Sequence, residues 1–131
     1  MTFNRFDSSR DHERLAALSS AAPALVFKHS PTCGVSTRAM QEVCAFRIRW
    51  PQTPVFLVDV LAERPLSLCL AHDLEVGHAS PQVILVRGGR AVWSESHWRI
   101  AADAIAEAVS TTGGATFGDD AGVRRANADR R

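Results

Sequence analysis

The residue in this sequence that most directly suggests chemistry is a cysteine between an apolar run and a stretch with helical periodicity. Cys33 stands where that predicted helix begins. The unpaired backbone amides and the positive end of the dipole at a helix N-terminus stabilise a thiolate. Lys28, His29 and Arg38 lie close by in the sequence and would add positive charge if their side chains turned toward the sulfur. We therefore predict that Cys33 is an ionised nucleophile.

The spacing Cys-x-x-Ser limits what this nucleophile can do. A dithiol oxidoreductase carries a second cysteine where this chain has Ser36. A lone thiolate can form a mixed disulfide but cannot close an internal bond to release it, so an external thiol must complete the cycle. The hydroxyl of Ser36 either donates its hydrogen to the thiolate or only fills and caps the first helical turn, and the sequence leaves both roles open.

The other two cysteines are predicted to pack in the core. Cys44 lies on the apolar side of the same helix, ~16 Å from Cys33 along the helix axis. A disulfide requires Cα atoms within about 4 to 7 Å. Cys69 lies in a leucine-rich helical segment that also favours the core, and the sequence alone leaves open a position near the active-site cysteine. Three widely spaced cysteines do not form a disulfide framework and are typical of a reducing compartment, so we predict a cytoplasmic protein.

A second loop is expected near the cysteine. Ser80 and Pro81 come directly before a predicted strand, and proline is tolerated as the first residue of a strand. In the fold predicted below, this loop lies opposite Cys33, where its backbone can pair with an extended thiol substrate. A cis Ser80-Pro81 bond would leave backbone groups free for that pairing, whereas the base rate of X-Pro bonds favours the trans form, so the residues alone leave both forms open.

Apolar periodicity predicts the elements that position these residues. They are a helix around Leu15 and Leu18 with its start near Ser8, a strand at 24–29, a helix at 33–48, a strand at 55–60, a helix at 66–74, strands at 82–87 and 90–95, and a helix through 100–109. The first two strands are the continuous apolar runs typical of buried parallel strands, and Gly88 and Gly89 predict a hairpin between the last two. The order predicts an α/β thioredoxin-like fold, with a central mixed four-stranded sheet, a right-handed crossover and flanking helices.

The composition predicts one globular domain and excludes several classes of protein. We place the domain at residues 1–110 and a flexible tail at 111–131, which has too few large apolar side chains to pack. The chain has 15 Lys and Arg against 14 Asp and Glu, so no basic surface for nucleic acid is expected. No apolar run is long enough for a membrane span. Acidic residues near the N-terminus argue against a signal peptide.

Two segments, FKHSPTCGVS at 27–36 and SPQVILVRGGRAVWSESHWRI at 80–100, resemble the monothiol bacilliredoxin family. The resemblance implies a thiol-disulfide oxidoreductase in which Cys33 takes bacillithiol from protein mixed disulfides and carries it as a mixed disulfide. It implies bacillithiolated client proteins and bacillithiol itself as partners, with no bound cofactor. The implied substrate-binding residues are Thr32, Gly34, Val35, Ser80 and Pro81. Family members usually have Pro-Ile where this chain has Gly34 and Val35.

Two other readings stay open. The segment HSPTCGVSTR is also similar to the arsenate reductase family, whose cysteine motif is Cys-Gly-x-Ser-Arg, but here Thr37 displaces Arg38 by one position. One position turns a helical side chain by about 100°, away from where an oxyanion would need it. The non-enzymatic alternative is a thioredoxin-like binding or chaperone module in which Cys33 is a passive site of thiol modification.

Two further groups of side chains are predicted to have structural roles. His97 and Trp98 fall in the segment that resembles the bacilliredoxins, and we predict a packed aromatic edge there. His72 and His78 have no ligand spacing with the cysteines, so no metal site is expected.

Overall fold

The computed structural model describes residues 3–6 and 11–113 of the chain. Its elements are helix α1 (Asp11–Leu18), strand β1 (Ala24–His29), helix α2 (Gly34–Arg49), strand β2 (Val55–Asp59), helix α3 (Arg64–Asp73), strand β3 (Gln82–Arg87), strand β4 (Arg90–Ser96), a 3-10 turn (His97–Arg99) and helix α4 (Ala102–Gly113). The predicted order of elements is confirmed. Ser8, the predicted start of the first helix, lies outside the described residues.

The four strands form one mixed sheet in the order β2-β1-β3-β4. Strand β1 runs parallel to β2 and antiparallel to β3, with His29 opposite Asp59 and Lys28 opposite Gln82. Strands β3 and β4 form the predicted hairpin. This is the predicted α/β arrangement. It brings the ends of β1, β2 and β4 and the start of β3 to one edge of the sheet, which we call the cysteine edge because Cys33 follows β1 there.

Apolar side chains are buried on both faces of the sheet, as the continuous apolar strands predict. On one face, Phe27 packs with residues of α2 and α4, including Phe46 and Ile105. On the other face, Val26 packs with residues of α1 and α3, including Leu70. Each fully buried side chain of this size contributes about 1.5 to 3 kcal/mol to stability. The two layers fix the sheet between its helices and so hold the cysteine edge in place.

Helix α4 extends beyond the predicted end of the domain at residue 110, and continues to Gly113. Thr112 is fully buried, and its carbonyl accepts a hydrogen bond from Arg87 Nη1 at 2.6 Å. Threonine has only moderate helix propensity, so this last turn depends on a tertiary contact that the sequence pattern does not show. Most of the predicted tail, residues 114–131, lies outside the described residues.

None of the helices within the described ranges is long and apolar enough to cross a membrane.

Candidate active site

Cys33 is the N-cap residue of α2, in an extended backbone conformation with φ −107° and ψ 128°. Its own N–H donates to the Ser30 carbonyl at 3.2 Å, and its carbonyl accepts from the Thr37 N–H at 3.1 Å. The side chain is half-buried and makes no capping hydrogen bond, and the first turn of α2 has no acidic residue. The backbone is therefore held at a fixed strand-to-helix junction, while the sulfur is left at the positive end of a 16-residue helix.

Ser36 is fully buried in the first turn of α2. Its Oγ accepts a hydrogen bond from the Ser30 backbone N–H at 3.1 Å. Of the two roles that the sequence leaves open, the structure shows the structural one, since this hydrogen bond joins the first turn of α2 to the loop before Cys33. The hydroxyl hydrogen is still available for donation, and a contact with the thiolate stays a prediction.

Lys28 and His29 project to opposite faces of the sheet, because successive side chains of a strand alternate. The His29 ring packs on the α2 face, with its centroid 5.5 Å from that of Phe27. Burial lowers the pKa of His29, and the charge of Asp59 only partly opposes this, so the imidazole is neutral at pH 7. Lys28 lies on the α3 face, where its Nζ is 3.4 Å from His78 Nδ1. The two side chains therefore do not act together at Cys33, because the imidazole on the α2 face is neutral and the charged ammonium lies on the α3 face.

Arg38 is held by the segment after β4. Its Nη1 donates to the carbonyl of Ile100 at 3.1 Å and to that of Trp98 at 3.4 Å, and its guanidinium lies 5.8 Å from the Trp98 ring centroid. A guanidinium committed to two carbonyls is poorly placed to hold an oxyanion at Cys33. This observation weakens the arsenate reductase reading.

The prediction of a packed aromatic edge at Trp98 is wrong. The Trp98 side chain is 65% exposed, because it follows the end of β4 and covers Arg38 rather than the core. His97 is also exposed. Trp93, by contrast, is buried in the core.

The loop before β3 lies at the cysteine edge. Of the two forms that the residues leave open, the Ser80-Pro81 peptide bond has the cis form. The Pro81 carbonyl accepts a hydrogen bond from the His97 N–H at 3.0 Å, which ties this loop to the segment after β4. Because Gln82 pairs with Lys28, Pro81 lies beside the end of β1 that leads to Cys33.

Buried polar atoms without a hydrogen-bond partner concentrate at the cysteine edge. Within the described part of the chain there are four such side-chain atoms, and three of them belong to His29, Ser80 and Gln82. The fourth belongs to Thr112 at the end of α4. Native proteins usually satisfy buried polar groups, and exceptions often mark functional sites. The clustering supports this edge as the place where another molecule binds.

The remaining predicted site residues flank Cys33 in the sequence. Thr32 and Gly34 are exposed, and Val35 is half-buried. An incoming substrate can therefore reach the first two residues without any rearrangement of the core. Their role in binding stays a prediction.

The three cysteines are free thiols. Cys44 is half-buried on α2. The prediction that Cys69 packs in the core is wrong: Cys69 is exposed, because the buried side of α3 is formed by Ser67 and Leu70. In the described part of the chain, no group of three or more His, Cys, Asp or Glu side chains is placed to hold a metal ion.

The contact between Lys28 and His78 was not predicted from the sequence. The available signal was a lysine inside the otherwise apolar strand 24–29, since a lysine is rarely buried without a partner. The partner is 50 residues away in the chain, in a loop whose path only the folded structure defines.

The fold and the site together define a thioredoxin-fold thiol oxidoreductase. Solved structures of this architecture include a thioredoxin-fold protein proposed as an oxidoreductase, with a TM-score of 0.69 and 27% identity over 79% of this chain and 90% of that chain. Thioredoxin of Fasciola hepatica matches with a TM-score of 0.65 and 18% identity, over 82% of this chain and 97% of that one. Thioredoxin f2 of Chlamydomonas reinhardtii matches with a TM-score of 0.66 and 14% identity, over 87% of this chain and 100% of that one. The family model described as monothiol bacilliredoxin BrxC matches residues 4–105, and the chain belongs to that family.

Proposed function

We propose that this protein is a monothiol oxidoreductase that removes bacillithiol from protein mixed disulfides. The observation that carries the proposal is the pair of residues at the N-terminus of α2. The Cys33 side chain makes no capping hydrogen bond to α2. The buried Ser36 occupies the position that a resolving cysteine has in a dithiol enzyme. Cys44 and Cys69 are free thiols elsewhere on the chain.

The proposed reaction has two exchange steps. The Cys33 thiolate attacks the bacillithiol sulfur of a client mixed disulfide, a new sulfur-sulfur bond forms at Cys33, and the client sulfur leaves as a thiolate that takes a proton from water. Ser36 cannot displace the carried bacillithiol, because a hydroxyl does not take part in thiol-disulfide exchange. A second, external thiol then attacks the bacillithiol sulfur as its thiolate; a disulfide forms between that thiol and bacillithiol, the bond to Cys33 breaks, and the Cys33 sulfur leaves as a thiolate.

The residues around Cys33 support a role in holding the substrate. Thr32 and Gly34 are exposed beside the sulfur, and Ser80 has a buried hydroxyl oxygen without a partner. We propose that these residues, with Val35 and Pro81, contact the bacillithiol moiety or the adjoining client backbone. The cycle requires a supply of reduced thiol, so we propose a cytoplasmic location.

A mass measurement tests the function. Incubation with a bacillithiolated client should add one bacillithiol to the protein and free the client thiol. The variant Cys33→Ala should do neither, and the matched variants Cys44→Ala and Cys69→Ala should do both. Transfer by Cys33→Ala would contradict the proposal.

A second measurement separates catalysis from passive modification. A passive module would show a Cys33 that reacts with an alkylating probe at pH 6 no faster than a model thiol. The proposed enzyme should react faster, because the backbone amides at the N-terminus of α2 stabilise the attacking sulfur.

A further inference from the structure

Lys28 is a fully buried lysine near the end of β1, at the cysteine edge. Its Nζ has one hydrogen-bond partner among the described residues, the Nδ1 atom of His78 at 3.4 Å. The hydroxyl of Ser67, in the first half of α3, lies 3.5 Å from that Nδ1 atom of His78. An ammonium group has three hydrogens to donate, so this arrangement leaves most of its donor capacity unused.

No carboxylate is paired with Lys28 in the described part of the chain. Burial lowers its pKa to about 8, so the side chain is still charged at pH 7. Burial lowers the pKa of His78, and the positive charges of Lys28 and Arg64 lower it further, so these three basic side chains act on one another. Buried charges in proteins are usually paired, and a buried ammonium without a counter-ion is costly to maintain.

Gln82 adds an open acceptor at the same place. It lies opposite Lys28 in the antiparallel pair of β1 and β3, so the two side chains project from the same face of the sheet. Its Nε2 donates to the Gly77 carbonyl at 3.0 Å, while its Oε1 is buried and has no partner. The residue is only 4% exposed. A buried donor with spare capacity and a buried acceptor without a partner thus project from the same face of the sheet, and the donor contacts the exposed residue His78.

We propose that Lys28, Arg64 and His78 form a subsite for a carboxylate group of the low-molecular-weight thiol that is exchanged at Cys33. This inference rests on the proposed function, to which it adds the residues of this chain that hold a carboxylate of the exchanged thiol. The subsite and Cys33 share the cysteine edge. Helix α3 starts there after β2, the loop with His78 leads to Pro81, and β1 leads to Cys33. A thiol with its sulfur at Cys33 can therefore extend past Pro81 toward the start of α3.

The His78 ring holds the position that the carboxylate takes. In the free protein, Nδ1 accepts from the Lys28 ammonium. When the thiol binds, the exposed imidazole turns aside, one carboxylate oxygen accepts from Lys28, and the exposed guanidinium of Arg64 donates to the other. A polar group of the thiol that can donate a hydrogen meets the Oε1 atom of Gln82. Sulfur exchange at Cys33 then proceeds as described, with no change in its electron balance.

The test compares two small disulfides, that of mercaptosuccinate, which carries carboxylates, and that of 2-mercaptoethanol, which is neutral. Mass spectrometry follows the formation of the mixed disulfide at Cys33, in a Cys44→Ser, Cys69→Ser background. The quantity of interest is the ratio of the rate with the anionic disulfide to the rate with the neutral one. Charge-assisted hydrogen bonds predict that Lys28→Met and Arg64→Gln each lower this ratio by about tenfold.

Arg90→Gln is the matched control, because Arg90 is exposed in the hairpin at the opposite edge of the sheet, and it should leave the ratio unchanged. Arg64 is also exposed, so its variant keeps the test valid if Lys28→Met folds poorly. An unchanged ratio in Arg64→Gln, or an equal fall in Arg90→Gln, would overturn the subsite. A wild-type protein that reacts with neither disulfide would overturn the proposed function, and the subsite with it.

Discussion

The backbone N–H of Ser30 donates a hydrogen bond to the Oγ atom of Ser36 at 3.1 Å. This bond joins the end of the loop after β1 to the first turn of α2, on either side of Cys33. The position that would hold a resolving cysteine in a dithiol enzyme is thus used to fix the loop that leads to Cys33.

Ser36→Ala should destabilise the protein by about 1 to 3 kcal/mol, because it leaves the partly buried Ser30 N–H without an acceptor. Urea unfolding followed by circular dichroism measures the change. Ser110→Ala, at an exposed position of α4, is the matched control and should change stability by less than about 0.5 kcal/mol. Equal effects of the two substitutions would show that the bond contributes nothing.

Ser36→Cys should convert the proposed single-cysteine mechanism into a two-cysteine mechanism. The new thiol lies three residues after Cys33 on the first turn of α2, where it can attack the mixed disulfide and release the carried thiol. Mass spectrometry after reaction with a small disulfide should then show an internal disulfide, two hydrogens lighter than the reduced protein. Persistence of the mixed disulfide in this variant would contradict the prediction.

Gly34→Pro should stabilise the protein by roughly 0.4 to 1 kcal/mol, because it restricts the unfolded chain at a position that accepts proline. Gly34 is the first residue of α2, a Cβ there meets nothing within 4 Å, and Cys33 has the extended conformation that a following proline requires. Thermal unfolding is the measurement. Gly34→Ala is the control, because it reduces backbone freedom but keeps the backbone N–H of residue 34. A lower melting temperature for the proline variant than for the alanine variant would mean that this N–H has a hydrogen-bond partner.

The stability difference between Lys28→Met and wild type should depend on pH. The ordinary lysine pKa of 10.5 applies in the unfolded chain, and burial lowers it to about 8 in the folded protein. Below pH 8 the folded protein holds a buried charge, at a cost on the order of 3 kcal/mol, so Lys28→Met should be the more stable protein there. Between pH 8 and 10.5 the unfolded state binds more protons, wild-type stability rises with pH relative to the variant, and the difference shrinks. Urea titrations across this range measure it, and a difference that does not change with pH would contradict the assignment.

Cys69 should be alkylated before Cys44 in a Cys33→Ala background. Cys69 is exposed on α3, whereas Cys44 is half-buried on α2. Peptide mapping after brief treatment with iodoacetamide gives the order of modification, and urea should remove the difference between the two thiols. Faster labelling of Cys44 in the native protein would contradict the placement of Cys69.

The residues that follow local patterns could be predicted well from the sequence. Strand β1 and the start of α2 follow from an apolar run and a helical repeat on either side of a proline, and this local pattern is enough to place Cys33 at a helix N-terminus. The exposure of Cys69 was missed because α3 is leucine-rich on more than one side, so its sequence does not show which side faces the sheet. Trp98 was missed for a related reason, since the end of a strand gives no periodic signal.

The sequence by itself determined the position of Cys33 at the start of a helix, the absence of a cysteine at position 36, and the order of strands and helices, since each depends on neighbouring residues or on a short repeat. Only the tertiary structure decided which groups meet at the cysteine edge. Lys28 contacts His78 across 50 positions, and Arg38 contacts Ile100 across 62. The physical reason is that hydrogen bonds and uncompensated charges act through space, and the pairing of β1 with β3 brings distant segments together at this edge.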